Sequence, residues 1–421
     1  MSDQTTAEAA ATSPTAGRSL WRNRDFLLLW GGQTVSTTGS QVSQIAFPLL
    51  ILAVTQSAAL AGIAGGIRLI PYILLSLPAG ALVDRWNRKR VMIICDTGRA
   101  LALAAIPLAL VLGRLSIALI FFVTLVDGTL YVFFNLAEMA SIPHVVEKER
   151  LGGALALNEA GVDVAYVAGP AIGGALFGIA RMLPFLGDAI SYAVSVVSLL
   201  GIRSEFQKDR AGAPRSLFSA IREGTGWLIR HRLIRFLAIL TAAANMVEFS
   251  VMLMIVVIAT HAHLGSSTTG LILAIAGISG LIATPLVPLL QRRMSFGKLV
   301  IAVQWLYALT VPWYLLSTSP VALSLVTAVF FGIGTILALM QYTYRLTVIP
   351  DEFQGRVNSA YRLVALAGEG VGPVLAGILL QLSGAPAVII SASAILIILA
   401  IATMRNPAIR EASSPVASAK A

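Results

Sequence analysis

The sequence predicts an all-α membrane protein: twelve transmembrane helices forming two pseudo-symmetric six-helix bundles. Three observations lead there. The 421 residues are 57% hydrophobic and only 12% charged, with a mean hydropathy of +0.84, whereas soluble domains carry about 25% charged residues. Twelve long apolar stretches, nearly all separated by short polar links, fill the chain from Phe26 to Met404, and roughly 20 apolar residues are what a helix needs to cross the hydrocarbon core. In lipid the backbone must satisfy its own hydrogen bonds within each segment, which selects helices. Finally, landmarks of the first six stretches recur in the second six.

The first six spans fall near 26–54, 59–83, 91–112, 116–139, 155–179 and 183–202. The second six fall near 236–261, 267–290, 297–316, 320–343, 357–381 and 385–404. With both termini on one side, 26 of the 30 Lys and Arg lie on that side. Arg114 and Arg181 fall opposite, and Arg68 and Arg99 lie within spans. This is the positive-inside pattern, so the net charge of +10 reports topology, and attraction to anionic lipid is its secondary effect. No nucleic-acid partner is expected. The expected location is a bacterial inner (cytoplasmic) membrane, multi-pass, with both termini cytoplasmic. Residues 1–19, rich in Ala, Thr and Ser, and residues 405–421 read as disordered cytoplasmic tails. Cys95 is the sole cysteine, which excludes an intramolecular disulfide and a cysteine metal cluster.

The repeat is legible in particular residues. Ile142-Pro143 and Gly169-Pro170 in the first half correspond to Ile349-Pro350 and Gly372-Pro373 in the second. The second span ends Pro78…Asp84-Arg85 and the eighth Pro285…Gln291-Arg292. Parallel halves related by an axis along the membrane normal are a known transporter plan. They divide the chain into a bundle at 20–203, a cytoplasmic linker at 204–233 and a bundle at 234–404. In the linker Pro214 can open a helix with Leu217, Phe218, Ile221 and Leu228 on one side, either an interfacial amphipathic helix or a solvated connection.

Gly80-Ala-Leu-Val-Asp84-Arg85-Trp-Asn-Arg88-Lys89-Arg90 resembles the loop signature of the major facilitator superfamily, and it stands between the second and third spans as it does there. Gly169-Pro170-Ala-Ile-Gly173-Gly174 is similar to the antiporter signature of that superfamily. Pro350-Asp-Glu-Phe-Gln-Gly-Arg356 and Arg22-Asn-Arg-Asp-Phe-Leu-Leu-Leu-Trp30 look like the subfamily of macrolide-efflux and enterobactin-export proteins. The resemblance implies the major facilitator fold and a drug:proton antiporter. It also implies that Asp84 holds the cytoplasmic side closed against the second half until the loop moves. Gln291 stands where a second such acid would be. Chemically, Gly80 permits close approach, and Asp84 can pair with Arg or cap a helix. Gly169, Gly173 and Gly178 allow tight packing, while Pro170 relaxes local backbone bonding.

Polar residues inside spans are costly and mark function. The first span carries Gln33, Thr37, Ser40 and Gln44 at helical spacing; the fourth carries Thr124, Asp127, Tyr131 and Glu138. The seventh carries Thr241, Asn245, Glu248 and Met252, and the tenth Thr335, Tyr342 and Arg345. These are the four spans that line the central cavity in the family. Asp127, Glu248 and Glu369 lie near mid-span, with Arg68 at similar depth on the second. A carboxyl group there responds oppositely to desolvation and to a nearby cation, so these acids are the expected proton or cationic-substrate sites. The alternative for Asp127 is a fixed buried pair with Arg68. Glu138 and Arg345 each lie five residues before a repeated proline, with opposite charges, and are expected to meet as an inner gate when the cavity opens outward. Asp96 and Arg99 are expected to pair locally, and Asp188 to be a structural acid.

The function expected is export of lipophilic or amphipathic, macrolide-like small molecules by proton antiport through alternating access. Export of a siderophore or self-made metabolite is the alternative; a solute importer, or a receptor or scaffold on the same fold, stands behind these. There is no G-x-x-x-x-G-K-[ST] loop, so the energy comes from a gradient, and no cofactor is called for. An enzyme is not expected: Asp96-Thr97-Gly98 occurs once, where a two-Asp site needs a partner. His144, His231, His261 and His263 are too dispersed for a metal site. A monomer is the expected state.

Overall fold

A computed structural model describes residues 20–207, 217–317 and 319–412, and among these every regular element is helical. In the first half α1 spans Arg24–Thr55, α2 Ala58–Arg85, α3 Arg88–Val111, α4 Ile117–Val145, α5 Leu151–Ile179 and α6 Leu183–Gly201. A linker helix α7, Leu217–Arg230, precedes α8 Arg232–His261, α9 Ser266–Ala283, α10 Leu286–Arg293 and α11 Phe296–Thr310. The chain closes with α12 Pro320–Val348, α13 Asp351–Arg405 and α14 Pro407–Arg410. Side-chain caps start several of these where the sequence offers Asn or Ser. Asn23, Ser57, Asn87, Ser116 and Ser319 each accept from a backbone N–H in the first turn, satisfying donors that a helix start leaves open.

Elements differ from the sequence reading in two places, the eighth span and the C-terminal tail. The eighth span breaks into α9 and α10 at Thr284-Pro285, because Pro285 lacks an N–H and crowds the carbonyl four residues back. The eleventh and twelfth spans, both within α13, are two helices that meet at Gly384 (φ 74°, ψ −177°), where the sequence places the break, in a backbone conformation that disfavours residues with a Cβ. The tail beyond Arg405 is ordered as far as Ala412: Ile409 is fully buried and Gly297 N–H donates to the Ala412 carbonyl. Residues 1–19 and 413–421 lie outside the described residues, as do Pro214 and the side chains of Leu217, Phe218 and Ile221.

Packing follows the repeat. In the first half α1 packs on α5 and α6, α3 on α4 and α6, and α2 on α4. In the second α8 and α11 pack on α13, and α12 packs on α9 and α11. Two extensive seams join the halves, α2 with α13 and α5 with α9, and α8 makes smaller contacts with α1 and α2. Leucines such as Leu101 and Leu382 stand outward, 70% and 76% exposed, as expected where the surrounding medium is hydrocarbon. The linker helix is clamped to the second half, with Gly224 against the Arg356 backbone and Glu223 paired with Arg356.

Loops alternate between two faces. One, termed here the basic face, carries the α2–α3, α4–α5 and α12–α13 links and the linker; the other is the far face. The family-like segments work at the basic face. Asn23 donates to the Val145 carbonyl, Trp30 to the Leu157 carbonyl, and Ser204 N–H to Asp25. Gln354 donates to the Leu346 and Ile349 carbonyls.

Candidate functional site: a cavity between the two halves

A cavity of about 510 Å³ lies between the halves, walled by α1, α2, α4 and α5 on one side and by α8 and α13 on the other. That is within the range of drug-sized pockets, about 300–1,000 Å³. Its wall includes Gln33, Thr37, Ser40 and Gln44 of α1, Arg68 of α2, and Thr124, Tyr131 and Glu138 of α4. Met252 of α8 and Glu369 of α13 face the same space. Apolar and aromatic side chains, among them Phe47, Tyr72, Tyr166 and Phe249, make up much of the rest.

Behind the α4 wall sits a buried charge cluster. Asp127, 3% exposed, does not line the cavity. Its Oδ1 accepts from Arg99 Nε at 2.9 Å and from the Tyr192 hydroxyl at 3.3 Å, while Arg68 Nε stands 3.6 Å from Oδ2. Arg99, 2% exposed, reaches Ser40 Oγ at 3.4 Å and lies 4.1 Å from the Tyr192 ring centroid. The expected Asp96–Arg99 contact exists at 3.8 Å, but the shorter bond goes to Asp127. Arg99, which links α1, α3, α4 and α6, is the residue that sequence reasoning missed as a site component. Its mid-span charge was visible, but its reach across to α4 depends on helix rotation. Asp188, 1% exposed, accepts from Ser191 Oγ at 3.1 Å.

Several expected wall residues point elsewhere. On α8 the wall is made by Phe249, Met252, Leu253 and Val256, so the helix is turned about one position, roughly 100°, from the polar stripe. Thr241 instead donates to Gln341 Oε1 at 2.8 Å and bonds the Tyr361 hydroxyl. Asn245 donates to Glu369 Oε1 at 3.1 Å, and Glu248 faces Gly334 on α12. Thr335 donates to the Phe331 carbonyl beside Gly280; Tyr342, 47% exposed, lies beneath Arg345. None of Thr241, Asn245, Glu248, Thr335 or Tyr342 lines this cavity; Thr241, Asn245 and Thr335 turn their polar groups to partners within the second half.

The cavity is closed at the far face. Gly62 packs on Pro373 and Gly377 on Ala58, with no room for a Cβ on either glycine. Ala58 N–H donates to Gln381 Oε1 at 2.9 Å. Between α5 and α9, Gly174 rests on Ser266 and Gly270, and Gly270 on Pro170. Gly169 and Gly173 pack against Gln41 and Val42 of α1. The helix 5 motif thus divides its glycines between the first bundle and the seam with the second.

At the basic face no such glycine seam joins the halves among the described residues. A Cβ on Gly80 would meet nothing within 4 Å, so the close approach expected there is absent in this conformation. Asp84 stands 3.4 Å from Arg88. Arg88, 3% exposed, donates to the Ala140 and Phe206 carbonyls, and Lys89 donates to the Ile202 carbonyl. These contacts lie within the first half and the start of the linker, and Arg85 and Arg90 are exposed. Glu138 remains on the cavity wall while Arg345 stacks 3.5 Å from the Tyr361 centroid; no ion pair joins them. The cavity therefore opens toward the basic face. Among the described residues no cluster of His, Cys, Asp and Glu could hold a metal ion.

A family model described as transmembrane secretion effector matches residues 15–420. The chain belongs to that family of major facilitator transporters. The chain is 28% identical to the multidrug efflux pump Tap of Mycolicibacterium fortuitum, over 92% of this chain and 96% of that one. It is 24% identical to macrolide efflux protein A of Streptococcus pyogenes over 44% of this chain and 46% of the other. With the staphyloferrin A transporter of Staphylococcus aureus the identity is 23%, over 64% and 68% of the two chains. Among solved structures it resembles the nucleoside transporter NupG, with TM-score 0.73 at 14% identity, covering 92% of this chain and 99% of that one. A bacterial homologue of the lysosomal transporter Spinster gives TM-score 0.73 at 15% identity, covering 92% of this chain and 97% of that one. The chain is a multi-pass membrane transporter of small molecules.

Proposed function

We propose that this transporter exports lipophilic or amphipathic small molecules, driven by protons moving the opposite way through alternating access. The observation that carries the reading is the cavity itself: drug-sized, largely apolar, edged with carboxylates, open at the basic face and sealed by glycine contacts at the other. A compound partitioning into the inner leaflet or cytoplasm enters from the basic face, which the positive-inside rule places inside. Rocking of the halves then opens the far seam. The carboxylates Asp127, Glu248 and Glu369 are the groups available to carry protons, with Arg68 beside Asp127. The relatives named for multidrug and macrolide efflux support the same cargo class.

A second reading has its own observation. Arg68, Arg99 and Arg362 all face the cavity, which suits an anionic cargo such as a carboxylate siderophore, and one relative is named for staphyloferrin A. Purified protein in liposomes separates the readings. Erythromycin and ethidium flux is measured against an anionic siderophore, each with and without an imposed pH difference. Gradient-dependent movement of the first two supports drug export, movement of the third alone supports the second reading, and gradient-independent flux of all three contradicts proton antiport.

A further inference from the structure

The second half holds a polar group that its packing leaves unsatisfied, at the place where the first half holds its ion cluster. Pro143 and Pro350 lie 207 positions apart, as do Pro78 and Pro285, and 207 positions beyond Asp127 stands Gly334. By the same repeat α11 answers to α3 and α8 to α1. Where the first half sets Asp127 of α4 against Arg99 of α3, the second sets a glycine of α12 against Tyr307 of α11, and the carboxylate comes from Glu248 of α8. A Cβ on Gly334 would stand 3.4 Å from the Tyr307 hydroxyl and 3.6 Å from Glu248 Oε2. The hydroxyl and the carboxylate thus border the same gap, left by the side chain that Gly334 lacks.

Tyr307 is fully buried, yet its hydroxyl has no hydrogen-bond partner. Gln304, one turn earlier on the same side of α11, is also fully buried with both amide atoms unpartnered. Folded proteins rarely leave such groups unmatched, so an unpartnered hydroxyl bordering the same gap as a carboxyl group points to a bond made in another state. No ion pair joins Glu248 to any basic side chain among the described residues. The titratable groups in electrostatic reach of it are Tyr307 of α11, Tyr314 of the 3-10 turn Val311–Leu316 that follows it, and Glu369 of α13; α12 presents Gly334 there.

We propose that Glu248, with Tyr307 as its hydrogen-bonding partner, takes up and releases the coupling proton, and that Asp127 is a fixed counter-charge. This assignment rests on the proton-driven reading above. Protonating Asp127 would strip buried Arg99 of its nearest counter-charge, a costly change; protonating Glu248 breaks no ion pair. In the sealed state Glu248 is the neutral acid bonded to Tyr307. Where water reaches it, the acid gives its proton to that water and becomes a carboxylate.

The test uses Cys95→Ala protein with spin labels at Glu149→Cys and Glu352→Cys, exposed positions on the basic face of each half. Inter-label distances are measured from pH 5 to pH 9. The background protein is expected to shift between two distance populations, Glu248→Gln to lose that shift, and Asp127→Asn to keep it. Tyr307→Phe, which removes only a hydroxyl, is expected to move the midpoint by about one pH unit, the worth of one hydrogen bond. A normal midpoint in Glu248→Gln overturns the assignment alone. Reproduction of the shift by sodium at constant pH also overturns it, in favour of a metal cation. No shift in the background protein overturns the proton-driven reading together with the assignment.

Discussion

Asp127 is held from two directions, by Arg99 at 2.9 Å and Arg68 at 3.6 Å, and this sets what its loss should do. Breaking a buried pair by removing one partner costs about 3–5 kcal/mol, whereas replacing both by apolar groups of similar size is far milder. Arg99→Met is therefore expected to lower the melting temperature in detergent strongly, and Arg99→Met with Asp127→Leu to recover most of the loss. Equal damage in single and double variants would remove the pair from the account. The sequence showed Asp127 and Arg68 as mid-span charges because such groups stand out against a hydrocarbon background. It did not show that Arg99 is the closer cation, since Arg99 and Asp96 on one helix already looked mutually satisfied. Glu248 was legible as a mid-span acid, but its turn toward Gly334 is set by how α8 rotates against α12 and α13.

At the level of helices, the glycine seams are what distinguish one face from the other. Gly174 and Gly270 touch backbone to backbone, so Gly174→Val is expected to prevent far-face closure. The check is labelling of Thr37→Cys in the Cys95→Ala background with a membrane-impermeant maleimide applied from the basic face. Labelling should fall at least several-fold in Gly174→Val, and unchanged labelling would show that the seam does not govern opening. The Gly169-Pro170 segment announced tight packing, but its partner Gly270 was one of 36 glycines with nothing local to single it out. The helices themselves were legible almost throughout, because length and apolarity suffice to place them in a bilayer. What escaped were the break within an apolar run at Pro285 and the return of Ile409 onto α11, a contact between segments more than a hundred residues apart.

Across the whole molecule, the repeat places opposite charges at Glu138 and Arg345, unpaired in the conformation open at the basic face. If they meet when that face closes, Glu138→Arg and Arg345→Glu should each reduce export in liposomes, and the two together should restore it; failure of the double variant to recover would dismiss the gate. Closure of the far face is the complementary event. Gly377 lies against Ala59 as well as Ala58, so Ala59→Cys with Gly377→Cys in the Cys95→Ala background brings two thiols to that seam. Export by this protein, followed in liposomes before oxidation, after oxidation and after reduction, tests the alternating cavity most directly. Oxidation should abolish export and reduction should return it; full export through the cross-linked seam would mean that the far face need not open and that the cavity is not the route.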